Sequence, residues 1–144
     1  MQIKEIYQIV EQDFAKSNLL ITEQLSSDVP LVEKIAQYII ESGGKRMRPL
    51  LVLLSCGALN HQSNKHIKLA TIIEFLHTAT LLHDDVVDTS TLRRGKSTAN
   101  AQWGNAPSVL VGDFLYSRAF QMMVELENFD IMRILANATK IIAE

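Results

Sequence analysis

His77-Thr-Ala-Thr-Leu-Leu-His83-Asp84-Asp85-Val-Val-Asp88 closes a run, Lys65 to Asp88, that contains neither glycine nor proline. Ile67, Ala70, Ile73, Leu76, Leu81 and Leu82 recur along it at mostly helical intervals, so the spacing predicts one long helix. At about 100° per residue, Asp84 and Asp88 stand on one face a turn apart, and His77 falls within roughly 20° of Asp84. Three acids in five positions beside Leu-Leu and Val-Val repel one another, and the arrangement calls for a compensating cation. Oxygen ligands favour a hard ion such as magnesium, commonly held by one or two carboxylates together with substrate phosphates. The competing reading of the same residues is a solvated acidic helix end.

On the N-terminal side, Ile3, Ile6, Val10 and Phe14, followed by Leu19, Leu20 and Leu25, predict a first helix over about 2–25. Ser27 or Asp28 can cap a second helix with Pro30 in its first turn; its stripe is Leu31, Ile35, Tyr38 and Ile39, and Gly43-Gly44 ends it. Pro49 opens a third helix, Leu50 to about Leu59, whose near-continuous apolar run predicts burial on most sides. A polar turn, Asn60 to Asn64, leads into the long helix. Beyond it, residues 89–106, rich in Ser, Thr, Asn and Gly, read as a loop. Pro107 begins a helix to about Glu127, and Asp130 to Glu144 forms another. No strand alternation and no repeat interrupts this pattern, which predicts an all-α bundle. The last periodic run stops at Glu144 without Gly, Asn or Pro, and an acid is unfavourable at the negative end of a helix dipole. A chain cut short is the expectation from that ending.

Composition narrows the classes. The 144 residues, 47% hydrophobic and 21% charged, fit a single domain over 1–144 that can bury about 70% of its unfolded surface. A single cysteine, Cys56, excludes an internal disulfide and Cys-rich zinc modules, and a reducing cytoplasm is the expected setting. The net charge of −2 provides no general field for nucleic acid. Met-Gln-Ile-Lys-Glu-Ile-Tyr lacks a basic-then-apolar leader, and the longest uncharged apolar run, Pro49 to Leu59, falls far short of the ~20 residues a membrane span needs.

Two basic clusters stand out against the negative total: Lys45-Arg46-Met47-Arg48 directly after Gly43-Gly44, and Arg93-Arg94-Gly95-Lys96. Alone, each reads most simply as a solvated turn. Paired glycines let the backbone turn closely around a ligand, while arginine forks and a lysine point charge suit diphosphate oxygens. Together with the acidic stripe they have a joint explanation: one polyanion bridged to the acids through metal, another gripped directly by Arg and Lys.

Gly43-Gly44-Lys45-Arg46-Met47-Arg48-Pro49, then His77, then Asp84-Asp85-Val86-Val87-Asp88, then Arg93-Arg94-Gly95, resemble in order and separation the N-terminal half of trans-isoprenyl (polyprenyl) diphosphate synthases, particularly the long-chain octaprenyl type. The resemblance implies an antiparallel helix bundle of the isoprenoid synthase type, here truncated. It implies that Asp84 and Asp88 bind magnesium bridging to an allylic prenyl diphosphate, with Asp85 less directly involved, and that Arg93 contacts that diphosphate. It places isopentenyl diphosphate on Lys45, Arg48, His77 and Arg94. Departure of diphosphate, attack of the isopentenyl double bond on the allylic cation and proton loss would complete trans elongation, through electrostatic stabilisation without a covalent nucleophile. Ala79 and Thr80, five and four positions before the first aspartate, match residues lining the product cavity. Their small size implies a long product such as a ubiquinone or menaquinone side chain; small residues on a helix equally serve close packing. The family's second aspartate-rich motif has no match, because Asp113 and Asp130 are isolated. A homodimer, or association with a full-length synthase, is implied as partner; an inactive fragment or noncatalytic subunit is the alternative function.

His83-Asp84 also admits a metal phosphohydrolase of the HD type with His61, His66 or His77 as further ligands, a reading that leaves Asp88 and both basic clusters unexplained. Cys56, Met122, Met123, Phe114, Phe120 and Trp103 read as packing residues.

Overall fold

Ten short and long elements carry the chain in the computed structural model, which describes residues 3–61 and 63–144; predicted helix position 2 and Gln62 of the 60–64 turn lie outside them. The helices are α1 (Ile3–Ile9), α2 (Glu11–Gln24), α3 (Pro30–Glu41), α4 (Met47–Ala58), α5 (Lys65–Val87), α6 (Ala99–Trp103), α7 (Asn105–Glu125) and α8 (Phe129–Ala143). Strands β1 (Leu92–Arg93) and β2 (Lys96–Ser97) form one small antiparallel ladder between α5 and α6. The all-α architecture holds, with this ladder its only sheet among the described residues.

The glycine- and proline-free run forms α5 as the spacing predicts, and α5 is the centre of the molecule. It packs most extensively against α7, then against α4 and α2. Ile72, Phe75 and Leu82 are fully buried, each stabilising the fold by about 2 kcal/mol through removal of apolar surface from water. Leu115, Ala119 and Met122 meet them from α7. Gly112 allows the close approach of these two helices: a Cβ there would lie 2.6 Å from Cδ2 of His83. The same imidazole stands 3.2 Å from the carbonyl of Val109 and 3.4 Å from the Asp113 carboxylate, tying the acidic end of α5 to α7.

Several local expectations are corrected. The first helix is interrupted at Val10 (φ −120°, ψ 21°), which separates α1 from α2, with Tyr7 edge-on to Phe14 at 5.1 Å. Val29, not Ser27 or Asp28, is the N-cap of α3; Ser27 Oγ instead accepts from the Val29 N–H, and Glu33 accepts from the Ser27 N–H. The buried stripe of α3 is Ile35, Ala36, Ile39 and Ile40, leaving Leu31 exposed. Helix α4 starts at Met47, so Pro49 is its third residue, and only Pro49, Leu50 and Leu53 are buried. Leu51 is 57% exposed because α4 is covered mainly by α5 and α2, on one side of the molecule. Residues 89–106 are more ordered than a loop. Thr98 caps α6 by accepting from the Ala101 N–H, its hydroxyl donates to the Ser90 carbonyl at 2.7 Å, and Asn100 donates to the carbonyls of Asp85 and Ser90.

Candidate active site

The segment between α3 and α4 is held open as a basic cradle. Ser42 and Gly43 close α3 by donating to the carbonyls of Tyr38 and Ile40. Arg46 takes a left-handed conformation (φ 45°, ψ 47°) that starts α4 abruptly. Asn18 of α2 accepts from the Arg46 guanidinium at 2.5 Å, and the Tyr7 hydroxyl donates to the Lys45 carbonyl. On the far side, Arg94 (φ 52°) and Gly95 (φ 77°) form the two-residue turn of the β1–β2 hairpin, both in the left-handed region such a turn requires. The turn aims the Arg94 guanidinium at the backbone of Gly44, where a Cβ would lie 2.6 Å from Cζ. A cavity of about 100 Å³ results, lined by Gly44, Lys45, Arg46 and Arg48 from one side, Arg93, Arg94 and Lys96 from the other, and Glu74 and His77 of α5. Lys45, Arg48, His77 and Arg94, the four residues matched to one diphosphate, therefore share one cavity.

Nη1 of Arg48 lies 3.1 Å from Nε2 of His77. Guanidinium only donates, so Nε2 accepts and His77 is the neutral Nδ1–H tautomer. Burial, then the charges of Arg48, Arg94 and Arg93, push its pKa down to about 4. The sign of the consequence follows: between about pH 6.5 and 4 the unfolded chain binds this proton and the folded chain does not. Stability is expected to fall as pH is lowered through that window, and calorimetric unfolding should show a shallower fall in His77→Gln.

The acids divide by side of the helix. Asp84 and Asp88 are exposed at the end of α5, and the Asp88 N–H donates to the Asp84 carbonyl at 2.8 Å. Asp85, one residue along, is turned inward and only 2% exposed. Its carboxylate takes both prongs of Arg93, at 2.7 Å from Nη2 and 3.0 Å from Nε. That pairing, with Asp84 and Asp88 nearby, raises the Arg93 pKa further above its already high value. Arg93 is thus fixed at the rim of the basic cavity with the outer acids beside it. Among the described residues no three His, Cys, Asp or Glu side chains converge on a metal position. Two exposed carboxylates do fit a magnesium ion whose remaining ligands come from phosphate oxygens and water. The HD-type arrangement does not form: His66 and His83 lie on one helix 17 residues and so about 25 Å apart, His61 stands edge-on to His66 and so at the same far end, and His77 is engaged by Arg48 at 3.1 Å.

A second cavity, about 380 Å³ and mainly apolar, opens between α5, α7 and α8. Ile73, Leu76, Thr80, Asp84, Tyr116 and Ile142 are among its walls, and it shares Arg48, His77 and Leu81 with the basic cavity. Thr80 lines it, its hydroxyl donating to the His77 carbonyl at 2.7 Å. Ala79 does not: it is fully buried in the core, a position 100° round the helix. Sequence reasoning also missed Glu74 and the pairing role of Asp85. The available signal was their register with Thr71, Thr78 and Leu82, all on buried positions of α5.

The polyprenyl synthetase family model matches residues 29–144, the stretch that carries both clusters, His77 and the three aspartates. The chain belongs to that family. Among the curated family members, octaprenyl diphosphate synthase of Escherichia coli is 51% identical over 144 residues, which are 100% of this chain and 45% of that protein. All-trans-nonaprenyl-diphosphate synthase (geranyl-diphosphate specific) of Rhodobacter capsulatus is likewise 51% identical, over 98% of this chain and 44% of its own. In three dimensions, the polyprenyl synthase of Caulobacter crescentus, solved with calcium and isoprenyl diphosphate, superposes with a TM-score of 0.95 at 46% identity, covering 99% of this chain and 43% of that one. The chain thus has the isoprenoid synthase fold and spans less than half the length of the polyprenyl synthases it matches.

Proposed function

We propose that residues 1–144 form one domain of a cytoplasmic, long-chain trans-polyprenyl diphosphate synthase, joining an allylic prenyl diphosphate to isopentenyl diphosphate. One observation carries this reading: a basic cavity and an apolar cavity meet at Arg48 and His77, with Asp84 on the wall of the apolar one. Lys45, Arg48 and Arg94 bind the diphosphate of isopentenyl diphosphate, and neutral His77 accepts from Arg48 to fix the fork's direction. Asp84 and Asp88 would hold magnesium, which when bound would supply positive charge against the diphosphate of the allylic substrate. Arg93, oriented by Asp85, adds a positive charge beside that diphosphate. The double bond of isopentenyl diphosphate attacks the allylic carbon, and loss of a proton yields the elongated chain. Thr80 faces the growing product; Ala79 acts from the core by keeping α5 close to its neighbours. Equal identity to an octaprenyl and a nonaprenyl synthase supports a long product. No described helix is long and apolar enough to cross a membrane.

The test is incorporation of labelled isopentenyl diphosphate into extractable polyprenyl product with farnesyl diphosphate and magnesium, with and without chelator. Magnesium-dependent product supports a working synthase. A second reading, a half-site that pairs with another copy or with a full-length synthase, is favoured by the apolar side chains Ile134, Ile141 and Ile142 exposed on α8. A folded chain that binds both diphosphates but forms product only on addition of a full-length, catalytically disabled synthase would support it.

Gly44→Ala isolates the cradle. The atoms a new Cβ would meet are the far end of the Arg94 side chain, which can swing away, so stability should stay within about 1 kcal/mol. Displacing that guanidinium removes a charge-assisted hydrogen bond of about 1.5 kcal/mol, and affinity for isopentenyl diphosphate should fall about tenfold by calorimetry.

A further inference from the structure

Glu74 is the anomaly of the basic cavity. It is an acid on the wall of a site otherwise suited to anions, 9% exposed, and one helical turn before His77 on α5. Its surroundings are almost wholly cationic. The segment leading into α4 and its first turn present Lys45, Arg46 and Arg48; the hairpin presents Arg93, Arg94 and Lys96; the uncharged titratable groups are His77 of α5 itself and Tyr38 of α3. While the cavity is empty, a carboxylate at this position balances the charges of Arg46, Arg48 and Arg94. An entering diphosphate competes for the same guanidinium groups, and two anions in one small cavity repel each other, most strongly on the side of the buried Glu74. The cheaper state is the one in which one of them carries a proton.

We infer that Glu74 is a charge-compensating positioning residue that takes up a proton when diphosphate enters the basic cavity, becoming a neutral acid able to donate a hydrogen bond. Burial pushes its pKa upward despite the three arginines, the direction that proton uptake requires. The inference rests on the reading of this cavity as a diphosphate site, and its failure is distinguishable from the failure of that reading.

Inorganic diphosphate is the probe, titrated calorimetrically into the full chain without metal from pH 7 to 9. No binding by the wild-type chain overturns the diphosphate reading and the inference with it. Given binding, Glu74→Gln, which mimics the protonated acid, should bind about tenfold more tightly at pH 8, and the ratio of its affinity to wild type should widen as pH rises. Equal or weaker binding with a constant ratio would show a purely structural role and overturn the inference. Should the glutamine variant fail to fold, the wild-type chain labelled with carboxyl-13C glutamate decides. One carboxyl resonance moving to its protonated position on addition of diphosphate supports the inference, and the absence of any such movement overturns it.

Discussion

Replacing Asp84 by alanine is expected to weaken magnesium-dependent binding of farnesyl diphosphate about 100-fold, a loss of the size that follows disturbance of a metal site. Asp84 is exposed and supports no core packing, so the fold should be unaffected, with stability changed by no more than about 0.5 kcal/mol. Removing one of two like charges a turn apart even relieves a small repulsion with Asp88. Metal-free binding of isopentenyl diphosphate should stay within about twofold, because the basic cavity does not use Asp84. Calorimetry with each ligand, with and without magnesium, checks both halves. Unchanged farnesyl diphosphate affinity would remove Asp84 from the metal site and return the acidic stripe to a solvated helix end.

Arg93→Ala should be the most destabilising single change at the site. Asp85 is 2% exposed and Arg93 is 31% exposed, so truncating the arginine leaves a buried carboxylate with its principal counter-charge gone. Breaking a buried pair from that side costs about 3 kcal/mol, at the lower end of the usual range because the arginine reaches partly into solvent. For a chain of this size the unfolding temperature should drop by about 10 °C. Arg93→Lys should recover part of this, since it restores charge but not the two-pronged fit. Combining Arg93→Ala with Asp85→Ala should cost less than Arg93→Ala alone, and a double-mutant cycle by thermal unfolding measures the difference. A purely ligand-binding role for Arg93 predicts the opposite pattern: normal stability and weakened diphosphate binding.

Helix α5 was legible because nothing in Lys65–Val87 breaks a helix, and the period then puts Asp84 and Asp88 on one face without further information. The two basic clusters were legible as charge runs beside glycines. Their convergence was expected only from the family resemblance, which put Lys45, Arg48 and Arg94 on one diphosphate; charge and spacing alone did not show it. It depends on the left-handed Arg46 and on the Arg94-Gly95 turn, and residues other than glycine in that conformation give no dependable sequence signal. A two-residue strand is likewise too short to show alternation. The break at Val10 and the one-sided burial of α4 were hidden for a related reason: apolar periodicity reports which residues prefer burial, not how many neighbours arrive to bury them.

Ala79 and Thr80 show the same limit at the scale of one residue. Both are small and adjacent, yet 100° of helix rotation sends one into the core and the other to a cavity wall. Asp84 and Asp85 repeat the contrast, exposed and buried side by side. The sequence by itself determined the helical class, the central helix and the residue types available for diphosphate and metal. Only the tertiary structure decided which acid pairs with an arginine of the protein and which stay exposed, because that choice depends on which surface of α5 the neighbouring helices and the hairpin cover.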